Sequence, residues 1–367
     1  MKKILLTAAL LCACVGASAQ YKYEFTDVKV NAATPVKNQA STGTCWCFAT
    51  VSFLESELLR MGKGEYDLSE MFIVRNNYIR RMNDNYLRRG RGNVSQGSIA
   101  HMNIWVMDNV GLMPEEAYDG INYDSATHNH GELAKWVKTV SDAAVEMKTP
   151  LKPEIVNGVL DAYLGQVPET FTYKGKEYTA KSFAESLGLK AEDYVELTSF
   201  SHHPFYELVP VEIPDNWDHA MMYNLPLDEL MQVIDHAVNT GYTVTWDGDV
   251  SEPGYAFQHY VAVNTDEDLR KAKELTAKAV EKPVTQESRQ KGFENFTTTD
   301  DHLEHLVGIA KDQDGVKYYK IKNSWGTQRN GTGYHYFSEE YMKAKTVSIL
   351  VHKNSIPKAT KAKLGIK

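Results

Sequence analysis

The stretch Asn38-Gln39-Ala40-Ser41-Thr42-Gly43-Thr44-Cys45-Trp46-Cys47-Phe48-Ala49-Thr50 places a cysteine where a loop of small polar residues turns into a helix. Beyond it, Cys47 or Phe48, Val51, Leu54 and Leu58 recur at steps of three or four, the period of a helix with one buried face. Cys45 is therefore expected at the start of a long apolar helix. Unpaired backbone N–H groups and the positive end of the helix dipole favour an anion there, which predicts a thiol of lowered pKa. Gln39, six residues upstream, is placed to offer a side-chain amide N–H to the same spot. A thiolate with an aimed amide donor is the start of an acyl-transfer site, the amide stabilising a tetrahedral oxyanion. The competing assignment makes Cys45 and Cys47 small buried hydrophobes. A matching base elsewhere in the chain decides between the two.

The other cysteines sharpen the argument. Met1-Lys2-Lys3, the apolar run Ile4 to Val15 and Ala17-Ser18-Ala19 read as the three parts of a secretory signal peptide over residues 1–19, cleaved before Gln20. Cys12 and Cys14 leave with it. A lipoprotein signal ending at Cys14 is the weaker alternative, because Leu11-Cys12-Ala13 is an unusual approach to a lipidated cysteine. Cys45 and Cys47 are too close together for good disulfide geometry, so an exported chain keeps them for another purpose. No second Cys/His pair stands at ligand spacing, so neither zinc nor any other metal or cofactor is expected. The apolar run is too short to span a bilayer, and no later transmembrane segment is seen. Without the leader's two lysines, 38 basic residues face 48 acidic ones and the formal charge moves from −8 to −10. Such a chain has no electrostatic reason to bind nucleic acid.

With 367 residues and 43% hydrophobic content, the chain can bury a sizeable core. Residues 21 to 37 are expected to form an extended lead-in ended by Pro35. Ser69 caps a second predicted helix carrying Met71, Ile73, Val74, Tyr78 and Ile79 on one face. Arg75 to Arg91, with its many arginines and asparagines, reads as a solvated helix end and loop. A third helix is expected over Ile99 to Asn109. Strands are predicted at Thr243 to Asp247, Tyr260 to Val263, His302 to Ala310, Lys317 to Lys322 and Gly333 to Phe337, from alternation and β-branched or aromatic content. The charged segment Asp266 to Lys291 reads as an exposed helical insertion. Helices first and sheet second is an α+β order.

A base is found on one of these strands. In His302-Leu303-Glu304-His305-Leu306-Val307-Gly308-Ile309, a period of two puts His305 in the apolar row with Leu303, Val307 and Ile309. His302 shares the more polar face with Glu304. His302 is thus the candidate base and His305 a core residue. Downstream, the strand through Tyr318 to Lys322 runs into Asn323-Ser324-Trp325-Gly326. Asn323 can accept a hydrogen bond from the imidazole and fix its tautomer, and Trp325 can shield that bond from water. Nucleophile, base and orienter make up a catalytic triad.

Gln39, Cys45-Trp46, His302 and Asn323-Ser324-Trp325-Gly326 resemble, in order and in the six-residue Gln-to-Cys spacing, the site of papain-like cysteine peptidases. Tyr163 to Tyr173, Thr285-Gln286-Glu287 with Arg289-Gln290 and Phe293, and Asp312-Gln313-Asp314-Gly315 are similar to the bleomycin hydrolase/aminopeptidase C branch. The resemblance runs from about residue 30 to 357. It implies a two-lobe fold with the active site in the cleft between a helical lobe (about 38–120) and a β-rich lobe (241–265 and 297–355). Residues 125–240 and 266–291 would be insertions in a single peptidase domain over 20–367. It further implies Cys45 as nucleophile, His302 as general acid/base, Asn323 as orienter and Gln39 as oxyanion donor. Gln96, Gly97, Ser98 and Trp325 would meet the substrate, with Gln96-Gly97-Ser98 standing where a glycine pair is usual. Peptides are the expected partners, with a homo-oligomer left open by the family. Aminopeptidases of this branch carry a C-terminal arm in the cleft, and this sequence stops near where the arm would begin. Tolerance of N-acetylated peptides and internal cleavage are therefore expected beside aminopeptidase action. An amidase or acyl transferase on a non-peptide substrate, and an idle binding protein on the same scaffold, are the alternatives.

Overall fold

The structure, a computed structural model, describes residues 21–367. The signal-peptide assignment, with Cys12 and Cys14, lies outside the described residues. The elements follow in chain order as β1 (Phe25–Val30), α1 (Cys45–Arg60), α2 (Glu70–Leu87), α3 (His101–Asn109), α4 (Gly131–Met147), α5 (Pro153–Leu164), β2 (Phe171–Tyr173), β3 (Lys176–Tyr178), α6 (Ala180–Leu187), β4 (Tyr194–Thr198), β5 (Leu208–Pro210), β6 (Met221–Asn224) and α7 (Leu227–Asn239). Then come β7 (Val244–Gly248), β8 (Tyr255–Ala256), β9 (Val261–Ala262), α8 (Gln286–Glu294), β10 (His302–Asp312), β11 (Lys317–Lys322), β12 (Tyr334–Ser338), α9 (Glu339–Lys345), β13 (Thr346–His352) and α10 (Lys358–Leu364). The α+β expectation is met, with a helical half built on α1 to α3 and a β-rich half built on one large mixed sheet.

Helix α1 is the join between the halves. Every residue from Trp46 to Leu58 is buried, not one face only. Helices α2 and α3 pack on one side of it and strands β10 and β7 on the other. Its buried charge Glu55 is satisfied from the lead-in: Thr34 Oγ1 donates at 2.5 Å, Lys37 Nζ lies at 3.2 Å and the Leu68 amide donates at 2.9 Å. Lys37 also reaches Glu70 at 2.8 Å and Asp67 at 2.6 Å. A buried carboxylate needs such partners, since losing one would strand a charge in a low-dielectric site.

Ser69 caps α2 as expected, its Oγ accepting from the Phe72 amide at 3.0 Å. The arginines that follow are not all solvated. Arg75 and Arg81 are buried. Arg75 ion-pairs with Asp161 at 2.6 Å, and Arg81 donates to the carbonyls of Asn93 and Gly97. Spacing on one helix face could not show that α5 and the 93–97 loop cover these guanidinium groups.

The sheet runs β5-β6-β4-β13-β7-β10-β11-β12-β9-β8, with β1 also paired to β10. Strand β10 is its spine: it pairs with β11 on one side and with β7, then β1, on the other. The extended lead-in is thus a true strand. Residues 125–240 are more than helices and aromatic loops, because β4, β5 and β6 extend the sheet and α7 packs on it. The segment Asp266 to Lys291 corrects the helical expectation. It is helical only from Gln286, and Leu269, Leu275 and Ala279 bury into a small core with Tyr23, Val261 and Tyr318. Three apolar anchors among many charges held it down without a repeating face. Helix α10 lies on α7: Lys363 ion-pairs with Glu229 at 2.6 Å, Thr360 bonds the same carboxylate, and Leu364 joins the α7 core.

Candidate active site

Thr44 sits at the N-cap of α1 with no side-chain cap bond; its carbonyl accepts from the Cys47 and Phe48 amides at 2.9 and 3.2 Å, and the backbone amide of Cys45 itself is left without a partner among the described residues. The Cys45 thiol is held against the backbone amides of Trp46 and Leu303, the latter adjoining His302. Burial pushes this thiol up to about 12, and the negative charges of Asp215 and Asp300 add to that, outweighing the two amides that pull it down. The lowered pKa expected from the helix dipole alone is thereby corrected. Burial also lowers His302, with Glu304 and Asn323 pulling the other way. Both directions favour a neutral thiol beside a neutral imidazole.

His302 lies at the first residue of β10 and Asn323 just past the end of β11, neighbouring strands that bring them together. The His302 Nε2–H donates to Asn323 Oδ1 at 3.0 Å, which leaves Nδ1 as the proton acceptor. The Trp325 ring lies 4.7 Å from the imidazole, centroid to centroid, and both His302 and Asn323 are buried. His305, from the opposite face of the strand, is fully buried with its Nδ1 at 2.8 Å from Ser52 Oγ in the α1 interface. Burial drives its pKa well down, so it is a neutral core residue.

Gln39 is fixed at both ends of its amide: Oε1 accepts from Ser324 Oγ at 2.6 Å and Nε2 donates to the Thr42 carbonyl at 2.8 Å, leaving one N–H unassigned. Its backbone amide donates to the Ser324 carbonyl at 2.9 Å, and the Gly326 amide to the Lys37 carbonyl at 3.1 Å. Gln96 docks on the Cys45 loop, its Oε1 accepting from the Gly43 amide at 2.8 Å and its carbonyl from Trp46 Nε1 at 3.0 Å. Ser98 is buried, its Oγ accepting from Trp217 Nε1 at 3.2 Å. At Gly97 the Asp215 Oδ2 stands 2.0 Å from where a Cβ would be, so a side chain there would have to displace that carboxylate.

Sequence reasoning missed what stands behind Asn323. Its Nδ2 donates to Tyr255 Oη at 2.9 Å, Tyr255 donates to Glu304 Oε1 at 2.9 Å, and Glu304 Oε2 lies 2.6 Å from His335 Nε2, all buried. The one available signal was Glu304 on the His302 face. His202, His203 and Glu212 gather on the surface, but both histidines pair with Glu212, at 3.0 and 2.9 Å, and Gln290 takes His202 Nδ1. Hydrogen bonding within the group and to Gln290 accounts for that cluster.

A cysteine at a helix start, an imidazole whose far nitrogen is held by an asparagine, and an amide-bearing glutamine beside them define a cysteine peptidase of papain-like fold. The comparisons place it further. The model of the peptidase C1-like family matches residues 132–366 and that of papain family cysteine proteases matches 22–191, so the chain belongs to the peptidase C1-like family. Aminopeptidase E of Lactobacillus helveticus and aminopeptidase C of Lactococcus lactis subsp. cremoris are each 22% identical over 362 residues, covering 87% of this chain and 81% of theirs. The solved structure of PepW from Lactobacillus rhamnosis HN001 has the same fold, with a TM-score of 0.67 at 17% identity over 93% of this chain and 84% of that one.

Proposed function

We propose that the protein is a cysteine aminopeptidase in which Cys45 attacks the carbonyl after the first residue of a peptide. The observation that carries this reading is His302 Nε2 held at 3.0 Å on Asn323, which leaves Nδ1 to take the thiol proton. His302 Nδ1 takes the thiol proton and the sulfur attacks the carbonyl carbon. The oxyanion then meets the free Gln39 Nε2–H and the backbone amide of Cys45 at the start of α1. His302 returns the proton to the leaving amine, and water hydrolyses the thioester. The aminopeptidase names of relatives spanning most of the chain support removal of single N-terminal residues. Internal cleavage is the second reading, favoured by the tail, which is tied to Glu229 on α7. Mass spectrometry of paired free-amine and N-acetylated peptides decides between them. Stepwise loss of single residues with acetylated peptides untouched is expected, and internal products would overturn the aminopeptidase reading. We further propose export, supported by the charged, apolar and Ala17-Ser18-Ala19 parts of residues 1–19.

A further inference from the structure

Two carboxylates bear on the Cys45 thiol, and they come from opposite sides of the chain. Asp300 lies two residues before His302, where the chain enters β10, and Asp215 lies in the loop after β5, against Gly97. Asp215 also acts on Asp300 as a like charge. Asp215 has Arg81 at 3.8 Å, while among the described residues Asp300 makes no ion pair. Behind Asp300 stands Asp247, 1% exposed, whose Oδ2 accepts from Ser348 Oγ at 3.0 Å. Asp247 Oδ1 and Asp300 Oδ2 are both buried without a donor, and the two carboxyls face each other. Two carboxyls in contact retain one proton between them. One negative charge therefore remains on the pair, and a second sits on Asp215. Arg81 offsets the charge on Asp215, while that on the Asp300–Asp247 pair has no cation among the described residues and is costly unless one arrives with the substrate.

We propose that Asp300, backed by Asp247, and Asp215 hold the α-ammonium of the substrate's first residue. The assignment rests on the aminopeptidase reading and names the residues that enforce it. An α-ammonium is two bonds from the scissile carbonyl, so its anchor must lie beside the nucleophile, as these carboxylates do. Asp215 also covers Gly97, whose carbonyl is already taken by Arg81, so the edge along which a longer peptide would run upstream is occupied. The specificity for a free N-terminus is thus built into the body of the chain.

The test measures kcat/KM for free-amine and N-acetylated versions of one aminoacyl-arylamide, in wild type, Asp300→Asn and Asp215→Asn, each checked by thermal melting. The ratio of free-amine to acetylated kcat/KM is expected to fall by about 10- to 100-fold in either variant, the scale of a hydrogen bond to a charged group. Asp215, whose side chain is 28% exposed, carries the test alone should Asp300→Asn fail to fold. Wild type that hydrolyses both substrates equally overturns the aminopeptidase reading itself. Wild type that demands a free amine, with folded variants that keep the same ratio, overturns this assignment alone.

Discussion

Cys45 and Cys47 stand two residues apart on α1 and in different surroundings. Cys45 is partly exposed at the helix start, whereas Cys47 is fully buried, its thiol donating to the Glu70 carbonyl at 3.3 Å and Asn103 Oδ1 at 3.4 Å. Cys45→Ala is expected to abolish hydrolysis. Cys47→Ala should keep turnover and lose about 1–2 kcal/mol of stability, from lost packing and two unmatched acceptors. Kinetics and denaturant melts of the two variants check this, and an inactive but stable Cys47→Ala would reverse the roles. Gln39, Cys45, His302 and Asn323 could be singled out as candidates because each stands in a local string of distinctive residues. The state of the thiol was not. Its pKa depends on Asp215 and Asp300, remote in sequence, and on burial beneath β10, which no loop motif encodes.

Strand β10 puts its two histidines to different uses. His302 faces Asn323 and Trp325, and His305 faces Ser52 and Phe53 of α1. His302→Ala is expected to lose activity by several orders of magnitude, on the scale of removing a triad member. His305→Ala should chiefly lower the melting temperature. A buried histidine with a depressed pKa binds fewer protons folded than unfolded, so its contribution is present above pH 6.5 and is lost as the pH falls. His130, lowered to about 3 by burial, adds to the same loss between pH 6.5 and 3. Melting temperature should thus drop on acidification, less steeply in His305→Ala. A variant with unchanged slope counts against the assignment. The period-of-two reading found these faces correctly, and it also put Glu304 beside His302. It could not find Tyr255 and His335, because strand order β7-β10-β11-β12 is a tertiary fact.

The whole chain was legible as helices followed by a sheet because long periodic segments dominate each half. Its margins were less so. Strands β4, β5 and β6 are three to five residues long, too short for a pattern to emerge, and they join the sheet through remote partners. For the full-length protein, the expected outcome of expression in a secreting host is a mature chain beginning at Gln20, read by N-terminal sequencing of the exported fraction. A product that keeps Met1 inside the cell would exclude export.

The short ladder between Lys37-Gln39 and Ser324-Gly326 stitches the approach to α1 directly to the turn after β11. Gln39 and Asn323 consequently belong to one mechanical part, though they lie 284 positions apart. As long as these bonds hold, the two keep a fixed separation. The oxyanion donor and the group that orients the imidazole are thereby set against each other by backbone bonds, so the two ends of the catalytic row share one frame.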